Sequence, residues 1–93
     1  MNATRIEKIR ERLQSLQPEH LSVTDESHRH VGHPGARDGR GHFSCTIVSE
    51  AFRDKSMLER HRMVYQALGD LMLTDIHAMS IRALTPEQLD RNP

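Results

Sequence analysis

Apolar positions recur along the chain in two periods. Ile6, Ile9, Leu13 and Leu16 follow the three- and four-residue spacing of a helix, which predicts an amphipathic helix over residues 5–16. Thr4 and Glu7 suit a capping box at its start, and Pro18 ends the pattern. In "HLSVTDE", Leu21 and Val23 alternate with polar neighbours, as in a short strand. "HFSCTIVS" alternates too, with Phe43, Cys45 and Ile47 on one face and Ser44, Thr46 and Val48 on the other. It reads as a second strand, antiparallel to the first around a long loop. Ser56 and Glu59 make a second capping box, and Met57, Val64, Leu68 and Leu71 predict a helix running to about Leu73. In "IHAMSIRA", a third strand, Ile76, Ala78 and Ser80 are expected opposite His77, Met79 and Ile81. "TPEQL" offers Thr85 as N-cap, Pro86 at the first helical position and Gln88 to complete the box, so a short helix closes the order.

The order α-β-β-α-β-α predicts an α+β fold. A strand, a helix and a strand in succession favour a right-handed crossover between parallel neighbours. The expected architecture is a three-stranded mixed sheet covered on one face by helices. The 93 residues suit a single domain over 1–93, with a Gly- and His-rich loop at about 27–41 and a frayed tail at 91–93.

Composition narrows the function. The formal net charge is zero with His neutral, which argues against a general electrostatic affinity for nucleic acid or membrane. Seven histidines make the charge rise as pH falls through about 6.5. A lone cysteine, Cys45, excludes an internal disulfide. Its phase with Phe43 and Ile47 assigns it to core packing. The start, "MNATRIEKIRERL", lacks the apolar run of a signal peptide, so a soluble cytoplasmic protein is expected.

The stretch "DESHRHVGHPGARDGRGHF" holds four histidines and four glycines. It reads either as a metal-binding loop or as solvated chain. The spacing of His28, His30 and His33, with His42 as a fourth donor, could also hold zinc. Arg53, Lys55, Arg60 and Arg62 could line a basic edge at the start of the long helix, though Asp54 and Glu59 are interleaved with them. His61 lies on the apolar side of that helix and is read as structural, placed to hydrogen-bond across to the sheet.

Taken together, "DESHRHVGH", "GHFSCTIVSEAF", "KSMLERHRMVYQAL" and "DIHAMSIRALTPEQ" resemble the BolA family over roughly residues 5–90. The resemblance implies a fold like the class II KH domain and no enzymatic activity. It implies partnership with a monothiol glutaredoxin and a [2Fe–2S] cluster shared with that partner and glutathione, in iron–sulfur trafficking or iron sensing. No cofactor is expected to be tightly bound by the chain alone, which would be a monomer or weak homodimer. The family's ligand positions match His77 on the third strand and His30 in the loop, with His28 and His33 as alternatives. The family also carries a transcription-regulator label, linked to stress response, morphology and biofilm, so DNA binding is the alternative function. Against RNA binding of the ordinary KH kind, the second strand leads through "SEAFRDKS" and carries no GxxG. Aromatic stacking platforms are also few, with only Phe43, Phe52 and Tyr65 present.

Overall fold

A computed structural model of the chain describes residues 4–27 and 41–91. Helix α1 (Thr4–Leu13) ends in a 3₁₀ turn at Gln14–Leu16, whose last carbonyls are closed by Gln17 in the left-handed region. Strand β1 (His20–Asp25) and strand β2 (Gly41–Val48) follow. A second 3₁₀ turn, Glu50–Phe52, leads to α2 (Met57–Leu68). Then come a short α3 (Leu71–Thr74), strand β3 (Ile76–Leu84) and α4 (Pro86–Arg91).

Local chemistry accounts for most of these boundaries. The Ser56–Glu59 capping box is formed in both directions: the Glu59 N–H donates to Ser56 Oγ at 3.1 Å, and the Ser56 N–H donates to Glu59 Oε1 at 2.8 Å. Gln88 accepts the Thr85 N–H at 2.9 Å, as the box at the last helix requires. The long helix stops at Leu68, earlier than the expected Leu73. Gly69 breaks it with φ at +55°, and the chain restarts as α3.

The sheet order is β1-β2-β3, with β1 antiparallel and β3 parallel to the central β2. Phe43, Cys45 and Ile47 of β2 are buried against Ile9 and Leu13 of α1 and Val64 and Leu68 of α2. Burying a side chain of this size is worth about 1.5–3 kcal/mol. A one-residue slip of β2 would turn all three outward, so burial fixes the register. The opposite face carries Ser22, Thr46 and Arg82 in one row and Thr24, Ser44 and Ser80 in the next.

The third strand departs from simple alternation. Ile76 pairs with Gly41 and Ala78 with His42, so His77 is one extra residue on β3. Beyond this bulge the phase is reversed: Ile76, Met79 and Ala83 are buried, whereas Ser80 is exposed. The expected grouping of Ile76 with Ala78 and Ser80 is therefore corrected. The inserted residue, invisible to a period-two pattern, is the reason.

Candidate functional site

Parallel neighbouring strands begin at the same end of a sheet, and both β2 and β3 carry histidine as their second residue. His42 and His77 meet there, with ring centroids 5.0 Å apart and planes tilted by 50°. The bulge places His77 outside the regular ladder and leaves it exposed. Bulges are uncommon in parallel pairs, and they re-aim side chains near functional sites.

His42 is held by its backbone. Its N–H donates to Ser27 Oγ at 3.1 Å, and its carbonyl accepts the Glu26 N–H at 2.8 Å. Asp25 Oδ1 in turn accepts the Ser27 N–H at 2.9 Å, a turn that carries the chain out of β1. The "DES" run is thus a clasp across the mouth of the loop. On the other side, the Gly41 N–H donates to the Asp75 carbonyl at 2.9 Å, which ties the starts of β2 and β3 together.

The Asp75 side chain anchors this end of the sheet to α1. It is almost fully buried, accepts the Thr74 hydroxyl at 2.6 Å and lies 3.4 Å from Arg5 and 3.5 Å from Lys8. The Thr74 hydrogen bond, with the Lys8 and Arg5 charges behind it, holds its carboxyl below the usual range.

His28, His30 and His33 lie outside the described residues, as do Arg37 and Arg40. So do the interior of the expected loop and the last two residues of the expected frayed tail. The chain leaves the described part at Ser27, three residues before His30, and returns at Gly41 beside the His42–His77 pair. Among the described residues, no group of three or more His, Cys, Asp or Glu side chains is placed to hold a metal ion. His42, the fourth donor suggested for zinc, stands against His77. A shared strand end was the signal for this pairing: "GHF" and "IHA" both open strands expected to run parallel.

Cys45 is in the core, 4% exposed, and burial pushes its thiol up to about 11. At neutral pH it is protonated and enclosed, which suits packing and not ligation. His61 sits half-buried on α2, and its Nε2 is enclosed with no hydrogen-bond partner among the described residues.

The basic edge is broken up. Arg60 is 6% exposed and donates to the carbonyls of Lys55 and Ala83 and to Gln88 Oε1. It joins the start of α2 to the end of β3 and to α4, and so cannot present its charge at the surface. Arg53 is engaged by Glu50 and Glu87. Of the four basic residues expected at this edge, Lys55 and Arg62 are the exposed ones outside such a network.

The chain matches the family model for BolA-like proteins over residues 13–88. It is 43% identical over 88 residues to the SufE-like protein 1, chloroplastic/mitochondrial, of Arabidopsis thaliana, covering 88% of this chain and 24% of that one. It is 38% identical over 80 residues to the DNA-binding transcriptional regulator BolA of Escherichia coli, covering 85% of this chain and 73% of that one. Among solved structures, the BolA domain of SufE1 from Arabidopsis thaliana superposes with a TM-score of 0.79 at 42% identity, over 90% of this chain and 94% of that one. The chain spans from about a quarter to just over half of the curated relatives first matched. Those relatives bear the names of regulators and BolA-like proteins, and they include organellar as well as bacterial forms. The cytoplasmic expectation is therefore not carried by the family. Among the described residues, no helix is long and apolar enough to cross a membrane.

Proposed function

The chain belongs to the BolA-like family, and on that premise we propose that it is a non-catalytic partner of a monothiol glutaredoxin, contributing imidazole ligation to a [2Fe–2S] cluster shared between the two proteins. Its role would lie in iron–sulfur trafficking or iron and stress regulation. The observation that carries the reading is the exposed His77 on its bulge, beside His42 and the mouth of the histidine-rich loop.

The residues present fit such a group as part of a ligand set. An imidazole at the sheet end is accessible to a docked protein, while the lone thiol is enclosed in the core. This chain can therefore supply nitrogen donors, and the thiolates must come from the partner's cysteine and from glutathione. When bound, a cluster of this type supplies one-electron chemistry, with histidine ligation raising its potential. His77 is the ligand on the rigid strand. For a second nitrogen the family pattern points to His30, with His28 and His33 as alternatives.

The test is a titration of this protein into [2Fe–2S]-loaded monothiol glutaredoxin, followed by visible circular dichroism. A saturable change at one-to-one stoichiometry, abolished by His77→Ala in a folded chain, supports the reading. No complex and no spectral change would sink it.

A second reading, DNA binding, is favoured by the names of the bacterial relatives. Its support in the geometry is thinner, because Arg53 and Arg60 are engaged internally. Phosphate contacts give affinity that falls steeply with salt. Salt-dependent DNA binding weakened by replacing Lys55 and Arg62 together would support it, and binding indifferent to salt and to both residues would remove it.

A further inference from the structure

The sheet ends on β3, an edge strand with no further strand beside it. We propose that this edge is the interface for a second copy of the chain: two β3 strands pair antiparallel about a two-fold axis at Ser80 and join the two sheets into one. The inference goes beyond the proposed function and does not rest on it, because it needs neither a cluster nor a glutaredoxin.

The backbone is the first argument. The Leu84 carbonyl accepts the Ser49 N–H at 2.9 Å, so Leu84 turns its backbone groups towards β2. Backbone groups alternate sides along a strand. Beyond the bulge, Arg82 and Ser80 therefore also face β2, whereas Ala83, Ile81 and Met79 face outward. The Ala83 carbonyl is taken by Arg60 Nη1 at 3.0 Å. Among the described residues, nothing outside the sheet meets the N–H or the carbonyl of Met79 or Ile81. Such unpaired edge groups are a template for another strand. The β1 edge is shorter, and its Leu21 carbonyl is held by Arg10 at 3.1 Å.

Register is the second argument, and it selects a second copy as the occupant. Outward-facing residues that stand opposite each other in an antiparallel pair exchange both of their hydrogen bonds. With Ser80 on the axis, Met79 of each copy stands opposite Ile81 of the other, and these reciprocal pairs use every free group on both edges. Ser80 meets Ser80 between them, exposed, where two hydroxyls can bond to each other. Arg82 stands opposite Ala78, so no like charges face one another. Neighbouring registers fit less well. An axis at Ile81 would set Met79 against Ala83, whose carbonyl Arg60 already holds. An axis at Met79 would set Ile81 against His77, on the bulge, where the alternation is broken.

The flank of α2 is the third argument. Met63 and Ala67 line a groove with Ser15 and Leu16, so that side of α2 faces the end of α1. At about 100° per residue, Leu58 and Tyr65 fall on the opposite side, which overlooks the β3 edge. They are 61% and 40% exposed. The start of α2 lies by the end of β3, where Arg60 reaches Ala83, and α3, with Leu73 77% exposed, leads into the start of β3. Antiparallel pairing brings the start of one β3 to the end of the other, so Leu73 of each copy approaches Leu58 of the other. One short strand pair with these side chains makes a small interface, below about 1,200 Å² in total, and the association is weak and reversible.

The test uses the full-length chain alone. Sedimentation equilibrium at concentrations up to about 1 mM should show a monomer–dimer equilibrium. Amide exchange at Met79 and Ile81 should slow as the concentration rises. Ser80→Lys sets two ammonium groups across the axis and should weaken association by about tenfold or more. Ser80 is exposed, so this variant keeps the fold, which far-UV circular dichroism checks. Ser80→Cys gives a readout that does not depend on a loss. Residues in a non-hydrogen-bonded antiparallel pair have Cα atoms about 4.5 Å apart, within reach of a disulfide. Under oxidised glutathione this variant should be trapped as a covalent dimer, whereas Arg82→Cys, whose two copies lie far apart along the pair, should not. Cys45 is buried and does not compete. A chain that stays monomeric at the highest concentration overturns the proposal. So does a dimer that is indifferent to Ser80→Lys and is not trapped through Ser80→Cys, since it would be built on another surface.

Discussion

Ser27 accepts the backbone N–H of His42 through its Oγ at 3.1 Å, and so closes the mouth of the long loop. The bond joins the turn that follows β1 to the residue whose ring meets His77. Ser27→Ala removes the acceptor from a partly buried N–H. It should cost about 1 kcal/mol in urea unfolding and speed amide exchange at His42. An unchanged exchange rate at His42 would show that the clasp does not hold that residue.

Gly41 is required by contact. A Cβ there would lie 2.7 Å from Ser27 Oγ and 2.8 Å from the Phe43 ring. Gly41→Ala must therefore push apart the clasp and a core aromatic, and overpacking of this kind costs about 1–3 kcal/mol. Thermal unfolding should report the loss. Because the displaced atoms border His42, the ring resonances of His42 and His77 should shift as well; a variant with native stability and native ring shifts would contradict the close approach.

Arg60 looked like a surface cation and is a buried joint. Arg60→Met leaves the carbonyls of Lys55 and Ala83 and the Gln88 side chain without this donor. The expected loss is about 2–4 kcal/mol. The exposed neighbour changed in the same way, Arg62→Met, should stay within about 0.5 kcal/mol of the parent. Chemical denaturation of the two variants side by side distinguishes joint from surface charge, and equal stabilities would refute the assignment.

These contacts mark where sequence reasoning reaches. The element order, the phase of β2 and the two capping boxes at Ser56 and Thr85 follow from local rules, and the structure keeps them. Phe43, Cys45 and Ile47 were legible because a strand with one buried face declares its period. The bulge at His77 was not, because an inserted residue depends on the neighbouring strand. Arg60 was misread for a similar reason: its acceptors come from β3 and α4, far along the chain. The His42–His77 pair lies between these cases: the parallel pairing is legible in the sequence, but the register at the strand starts is set by the bulge.

Cys45 gives the last prediction its sign. Burial raises the thiol from its ordinary 9.0 to about 11. The unfolded chain therefore ionises first as pH rises, and between about 9 and 11 the folded state holds more protons than the unfolded one. Stability is thus full below the unfolded value and falls with rising pH across that window, by at most about 1.4 kcal/mol per pH unit. A substitution isolates the contribution of Cys45. Cys45→Ala should lose some packing at pH 7 but decline less steeply from pH 9 to 10.5, and the two urea-derived stability curves should converge. Parallel curves would mean that the thiol ionises as readily in the fold as outside it. That result would reopen Cys45 as a thiolate donor, which its enclosure now excludes.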